Sequence, residues 1–351
     1  MDFIVASEDA GTRLDRFLAE QLPDLSRTRV QELIAEGRVR VNGAAGKASQ
    51  RVGRGDRVEA EAAARPPLRA EAEEIPLDVL YEDADVVVVN KPAGMVVHAG
   101  AGKASQHGTL VNALLGRYGK LSAGSEESGL RPGIVHRLDK ETSGVIVVAR
   151  NDAAHAALAE QFQSRTVQKT YVALVHGELK PAGRIELPIA RDLKRRMRMV
   201  AQAGRGREAR TEWRVLLVFG GSDSCGDARA KQKLAGSTHR NPPLHLSLAE
   251  VAIHTGRTHQ IRAHFAALKH PVVGDEIYGA PARVRLGAEE LPALGRNFLH
   301  AACIRFLHPR TGVPVEVRAA LPAELRNYLE LAAKACGVEW KQIDAAAKGY
   351  L

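Results

Sequence analysis

The twenty residues Arg131–Arg150, RPGIVHRLDKETSGVIVVAR, constrain this chain more than any other stretch. Pro132-Gly133 is a turn signal, and Ile134-Val135 reads as a short buried strand. His136-Arg137-Leu138-Asp139 then breaks the apolar run with three polar side chains. After Thr142-Ser143-Gly144 the chain returns to Val145-Ile146-Val147-Val148, a β-branched run that reads as a second buried strand. A carboxylate between two interior strands is costly unless something pairs with it. Asp139 is therefore either used in chemistry, or held in a turn with Thr142 and Ser143 bonded to the local backbone. The residues alone leave both readings open.

The 351 residues suffice for two or three domains, each with its own core. No apolar run approaches the ~20 residues of a membrane span. The first residues, MDFIVASEDAGTR, are acidic and unlike a secretory signal. Cys225, Cys303 and Cys336 are odd in number and far apart, which points to a reducing, cytoplasmic setting and gives no metal-ligand spacing. The expected state is a monomer with no membrane association.

The formal charge is +9, and its placement says more than its size. Residues 1–62 balance ten Lys/Arg against eleven Asp/Glu, whereas residues 180–262 hold seventeen against seven. The basic excess thus follows the central stretch and points to a polyanionic partner. Aromatic residues are only 4% of the chain, too few for an extended base-stacking platform. A nucleic acid would be held by backbone and shape, with one base handled closely.

Leu14, Phe17 and Leu18 predict a first helix ended by Pro23, and Ser26 can cap a second one with Val30, Leu33 and Ile34 on one face. Val39–Val41 enters the tight turn Asn42-Gly43, and a strand follows near Arg57–Glu59. These elements predict a compact module over 1–62 and a linker over 63–75. A second domain is expected over 76–330, with an aperiodic surface insertion at 220–246 and a tail at 331–351. Strands are expected at Asp85–Val89, Lys169–Gly177, His300–Leu307 and Val313–Val317. Helices are expected from Gly108, from a cap at Asp152, and over Glu324–Ala335. Arg191–Val200 (RDLKRRMRMV) packs five basic residues into ten positions, either a solubilising loop or a phosphate-binding strip.

His254, His259 and His264 recur every five residues, a spacing that splays side chains around a helix by ~140° per step. A zinc pair needs i, i+4 spacing, so no metal is expected. Ser143 lacks a nucleophile elbow, Cys303 has no supporting motif, and no glycine-rich nucleotide loop stands between a strand and a helix. The chemistry is expected to need no cofactor.

HRLDKETSG, at His136–Gly144, resembles the signature of the RluA-type pseudouridine synthases. Asn90–His98 (NKPAGMVVH), Lys169–Gly177 and Gly256–His264 (GRTHQIRAH) resemble that family's other motifs, with Ala99 where the family commonly has Pro. VVHAGAGKASQHGTLVNALL and GRTHQIRAHFAALKHPVVGDEIYG are closest to its RluD-like branch, and residues 1–62 resemble an S4-like RNA-binding domain. The resemblance implies an α+β fold: a mixed, mainly antiparallel sheet with a central cleft, plus the small N-terminal module. It implies an isomerase that turns uridine into pseudouridine in 23S ribosomal RNA, at the helix-69 hairpin. The same reaction at another ribosomal or transfer RNA site, a non-catalytic ribosome-assembly factor and a nucleosidase are the alternatives.

By that resemblance Asp139 is the catalytic carboxylate and Arg262 its cationic partner, in a bidentate pair. Tyr171 would stack on the base and assist at C5, and Arg137 would fill the place the flipped base leaves. The alternatives are a packed strand tyrosine and plain phosphate contacts. Arg13, Arg16, Arg27, Arg29, Arg38, Arg40 and Arg54 in the N-terminal module, and Lys194, Arg195, Arg196 and Arg198 in the basic strip, are the expected RNA contacts, or else a solvated surface.

Overall fold

The computed structural model describes residues 1–23, 25, 27–61, 70–99, 107–122, 131–195, 197–220 and 245–351, with only the backbone of residue 28. The chain divides into two compact units, Met1–Leu68 and Arg69–Leu351.

The first unit runs β1 (Asp2–Ile4), α1 (Leu14–Gln21), α2 (Arg27–Ala35), β2 (Val39–Val41), β3 (Ala44–Ala45) and β4 (Arg57–Ala60). Leu14, Phe17 and Leu18 of α1 meet Val30 and Leu33 of α2 in one core, as their helical spacing requires. Asn42 and Gly43 both take positive φ, 51° and 78°, and so close the tight β2–β3 turn. Ser26, the expected cap of α2, lies outside the described residues.

The second unit continues with β5 (Val79–Glu82), β6 (Val86–Lys91), α3 (Leu110–Tyr118), β7 (Ser143–Ala149), α4 (Asp152–Gln163), β8 (Gln168–His176), β9 (Ala182–Ile185), β10 (Ile189–Arg191), β11 (Met199–Ala201) and β12 (Thr211–Phe219). Then come β13 (Leu246–Ile253), α5 (Gln260–Ala267), β14 (Val284–Leu286), β15 (Glu289–Leu291), β16 (Leu299–Leu307), β17 (Pro314–Arg318), α6 (Ala323–Cys336) and α7 (Trp340–Ala346). Among the described residues, nine strands form one sheet in the order β5-β6-β7-β16-β8-β13-β12-β9, with β17 also on β16. Only β7 and β16 pair in parallel; the sheet is otherwise antiparallel. The architecture is therefore α+β, with a mixed, mainly antiparallel sheet.

The β7–β16 seam depends on a glycine. Gly144 has φ +116°, and a Cβ there would stand 2.2 Å from the Ala301 carbonyl oxygen. Beside it Arg296 donates to Ser143 Oγ at 3.0 Å, and His300 Nδ1 lies 2.9 Å from the same hydroxyl. Ser143 is thus a buried crosslink between strands.

Several expectations need correction. Ile134-Val135 is no strand: Ile134 makes one bridge to Val148, and Asp139 lies on the loop that follows. The cap of α4 is Asn151, whose side chain accepts from the Ala154 N–H; Asp152 is the first helical residue. The expected tail at 331–351 contains the end of α6 and all of α7, and Ile343, Ala347 and Tyr350 pack into the main core. Of the expected linker, Glu73 is held by α3's N-terminal segment through the Gly108 N–H at 3.0 Å; residues 62–69 are outside the described set. Of the expected insertion, 221–244 is outside that set, while Leu246 already belongs to a buried strand.

Candidate active site

The loop carrying Asp139 is fixed from both ends. At its start Gly133 has φ +74°, with the Ala149 carbonyl where a Cβ would need to be. The His136 ring stacks on Phe162 at 4.7 Å, and its Nε2 accepts the Val147 N–H at 3.0 Å. Burial, then the nearby Lys169 charge, pushes the His136 pKa down to about 3, so the ring accepts as a neutral imidazole. At the far end Lys91, fully buried, donates from Nζ to the carbonyls of Pro92, Met95 and Lys140 at 2.7–3.1 Å. One ammonium thus ties the turn after β6 to the residue following Asp139.

Asp139 keeps 16% of its side-chain surface and lines a cleft of about 400 Å³. Its Oδ2 accepts from Arg262 Nη1 at 3.1 Å, across 123 residues of chain. The expected two-toothed pair is not what forms. The Arg262 fork goes to Asp275, with Nε to Oδ2 at 2.6 Å and Nη2 to Oδ1 at 2.9 Å, which leaves one nitrogen for Asp139. Burial works against the Arg262 charge, but the hydrogen bonds and charges of Asp275, then of Asp139, outweigh it and raise its pKa. The Tyr278 ring lies 5.0 Å from the guanidinium carbon, and its hydroxyl accepts the Met199 N–H at 2.9 Å. Asp139 Oδ1 takes no hydrogen bond among the described residues and is left to the cleft.

Tyr171 lies on β8, lines the same cleft, and is buried. Burial, then the Asp139 charge, raises its pKa, so the phenol is neutral at ordinary pH. Arg137 is exposed and also lines the cleft. Leu138, between Arg137 and Asp139 in the chain, is buried and also borders the cleft.

The three histidines serve separate purposes. His254 pairs with Glu212 at 3.3 Å, His259 opens α5 with φ 54°, and His264 is buried between Thr211 Oγ1 and the Leu187 carbonyl. His259 Nε2 stands 3.9 Å from Asp139 Oδ2, and its Nδ1 lies 3.1 Å from the Tyr278 hydroxyl. The one metal-like grouping among the described residues is Asp83, Asp85 and His308. Its oxygens are already taken: Arg310 grips Asp85 at 2.5 and 2.6 Å, and Tyr81 and His308 bond Asp83.

The other expected RNA contacts are less free than the sequence suggests. Arg13 and Arg27 both bind the buried Asp15 carboxylate at 3.0 Å, and Gln31 joins them at 2.6 Å. Arg29 pairs with Glu32 and Glu36, Arg38 with Glu36, and Arg16 with Glu20. Arg40 and Arg54 are exposed and have no ion pair among the described residues. In the basic strip, Asp192 Oδ1 accepts the Lys194 and Arg195 N–H groups, and Arg198 lies over the Tyr278 ring at 5.2 Å. Arg196 lies outside the described residues.

Asp275, Tyr278, Lys91 and Lys169 were missed as site residues. Asp275 and Tyr278 stand in VVGDEIYG, downstream of Arg262, where only the polar Asp beside a glycine turn hints at a partner.

The site is thus an arginine-held carboxylate on a loop, opening into a cleft lined by five basic side chains. The profile of the RNA pseudouridylate synthase family matches residues 85–267, and that of the S4 domain matches residues 12–58. The chain belongs to the RNA pseudouridylate synthase family and is an isomerase acting on RNA. It is 46% identical to an uncharacterized RNA pseudouridine synthase of Chloroflexus aurantiacus, over 93% of this chain and 92% of the relative. It is 39% identical to the ribosomal large subunit pseudouridine synthase D of Xanthomonas campestris, over 93% of this chain and 90% of that protein. The solved structure of human RNA pseudouridylate synthase domain containing 1 aligns with a TM-score of 0.50 and 26% identity, over 72% of this chain and 86% of that one.

Proposed function

We propose that this enzyme isomerises specific uridines of large-subunit ribosomal RNA, with the helix-69 hairpin as target and Asp139 as the catalytic group. The observation that carries this is the Asp139 carboxylate, with one oxygen held by Arg262 and the other left to the cleft. In the reaction the N1–C1′ bond breaks, uracil turns, C5 bonds to C1′, and the C5 proton is replaced by one on N1. Nothing is oxidised or consumed. A fixed carboxylate can bond to C1′ or balance its positive charge, and both routes need the same unbound oxygen.

Arg262 orients that carboxylate. Tyr171 offers its ring to the flipped base, and its tightly held proton suits hydrogen bonding better than base catalysis. Arg137, exposed at the cleft, fits the vacated position in the RNA. The N-terminal S4 domain and the Arg191–Val200 hairpin supply backbone contacts, with Arg40, Arg54, Lys194 and Arg195 as the groups most open to phosphate. The large-subunit target rests on what the relatives are named, and the reading places the enzyme in the cytoplasm as a monomer in ribosome biogenesis.

Pseudouridine mapping of ribosomal and transfer RNA from a deletion strain tests the target. Loss confined to helix 69 supports it; loss at other sites alone moves the target, and no loss defeats the assignment. Asp139→Asn should abolish conversion while RNA binding persists, whereas a merely RNA-binding assembly factor would be indifferent to it.

A further inference from the structure

The cleft holds more positive charge than the Asp139 site uses. Arg137, Arg165, Lys169, Arg257 and Arg262 line it, against the single carboxylate of Asp139. Arg262 is committed to Asp275 and Asp139. Three of the others converge. Lys169 and Tyr171, two residues apart on β8, share one face of the strand. Lys169 Nζ comes within 3.9 Å of where a Cβ on Gly256 would stand, next to Arg257. Glu208 ties Arg257 to Arg165: its carbonyl accepts from Arg257 Nε at 3.1 Å, and its exposed carboxylate takes both Arg165 nitrogens at 3.0 and 3.2 Å.

Lys169 is the informative member. Its ammonium lies 5.6 Å from the Phe162 ring centre and has no hydrogen bond or ion pair among the described residues. Burial, then the Arg257 charge, pushes its pKa down to about 8. Burial, then Arg207 and Arg165, likewise lowers that of Arg257. Like charges gathered at a half-buried site disfavour one another, and a bound anion would relieve them. An extruded nucleotide swings about its own backbone, so its phosphates travel with it to the rim of the pocket.

We propose that Lys169, Arg257 and Arg165 form an anion subsite that takes a phosphodiester adjoining the flipped uridine, with the Glu208 carboxylate as the group it displaces from Arg165. The proposal rests on the isomerase reading and adds a place where the backbone of the reacting nucleotide is gripped.

The test compares uridine 3′,5′-bisphosphate with uridine by calorimetry on the full-length protein. Wild type should prefer the bisphosphate by ~10–100-fold, the worth of one or two hydrogen bonds to charged groups. That preference should fall below ~3-fold in Lys169→Met and Arg257→Met, and return in Lys169→Arg. Thermal midpoints near wild type exclude misfolding as the cause. No preference in wild type, or a full preference in Lys169→Met, overturns the subsite. A second arm uses an RNA that wild type converts. A neutral methylphosphonate beside the target uridine should raise the wild-type KM but leave Lys169→Met unmoved; equal effects on both overturn the subsite. Should wild type convert no RNA while the bisphosphate preference stands, the isomerase reading fails and the anion site survives.

Discussion

Replacing Asp275 by Asn tests whether the site is built as a relay of one cation between two carboxylates. Arg262 presents Nε and Nη2 to Asp275 at 2.6 and 2.9 Å and only Nη1 to Asp139. An Asn amide keeps one acceptor and turns an NH2 toward the other guanidinium N–H. Removing one member of a buried ion pair costs about 3–5 kcal/mol. Asn retains one bond and Asp139 can take up the freed fork, so about 2–3 kcal/mol is expected here. For a unit of this size that is a fall in Tm of roughly 5–10 °C. The larger effect should be on the reaction. A released Arg262 can turn its full fork on Asp139 and occupy the oxygen that the proposed chemistry needs. Displacement on the 1 Å scale costs about 100-fold in rate, so kcat should drop by that order while KM changes little. Tritium release from C5-labelled uridine in RNA, under single turnover, reads the chemical step directly. A variant with the expected loss of Tm but a rate within twofold of wild type would show that Asp275 merely stabilises the fold. Normal Tm and normal rate together would remove it from the site altogether.

Gly144→Ala should cost at least ~3 kcal/mol, because its Cβ would meet the Ala301 carbonyl at 2.2 Å on a backbone with φ +116°; unfolding at wild-type denaturant concentration would refute the seam argument. Acid should destabilise the protein well above the carboxylate range. Burial holds the His136, His176 and His300 pKa values down to about 3, 4 and 4. The unfolded chain therefore binds more protons, and stability present above pH ~6.5 is lost as pH falls toward those values, at up to ~1.4 kcal/mol per pH unit for each ring. Urea unfolding at pH 7, 6 and 5 should show that slope, and a flat profile would contradict it. Arg40→Ala should weaken RNA binding and lower the salt slope by about one unit, whereas Arg16→Ala, already paired with Glu20 at 3.0 Å, should do less; equal effects would undo the distinction.

What the sequence made legible is what lies in one loop. His136–Gly144 carries the carboxylate, the arginine beside it and the glycine of the seam within nine residues, so the motif and the loop that lines the cleft are the same object. The helices of the first unit were equally plain, because Leu14, Phe17 and Leu18 repeat with the period of the structure they form. The strands β12 and β13 are not legible in the same way: both lie inside the main sheet, but they flank an aperiodic stretch that masks their pairing. The C-terminal segment is hard to read for a related reason: α7 buries little besides Ile343, too sparse a pattern to show a face.

Family resemblance names the partners of an ion pair but not the number of bonds between them, so the two-toothed grip it implies for Asp139 falls on Asp275 instead. A fork spent on Asp139 would immobilise both carboxylate oxygens. The structure gives the fork to Asp275, 13 residues away, and a single tooth to Asp139. That division follows from what each carboxylate must do. Asp275, almost wholly buried, needs two donors to offset its desolvation. Asp139, open to the cleft, needs orientation without being used up. Neither requirement is written in the local sequence of either acid; both arise from where the α5 helix sets one arginine between them.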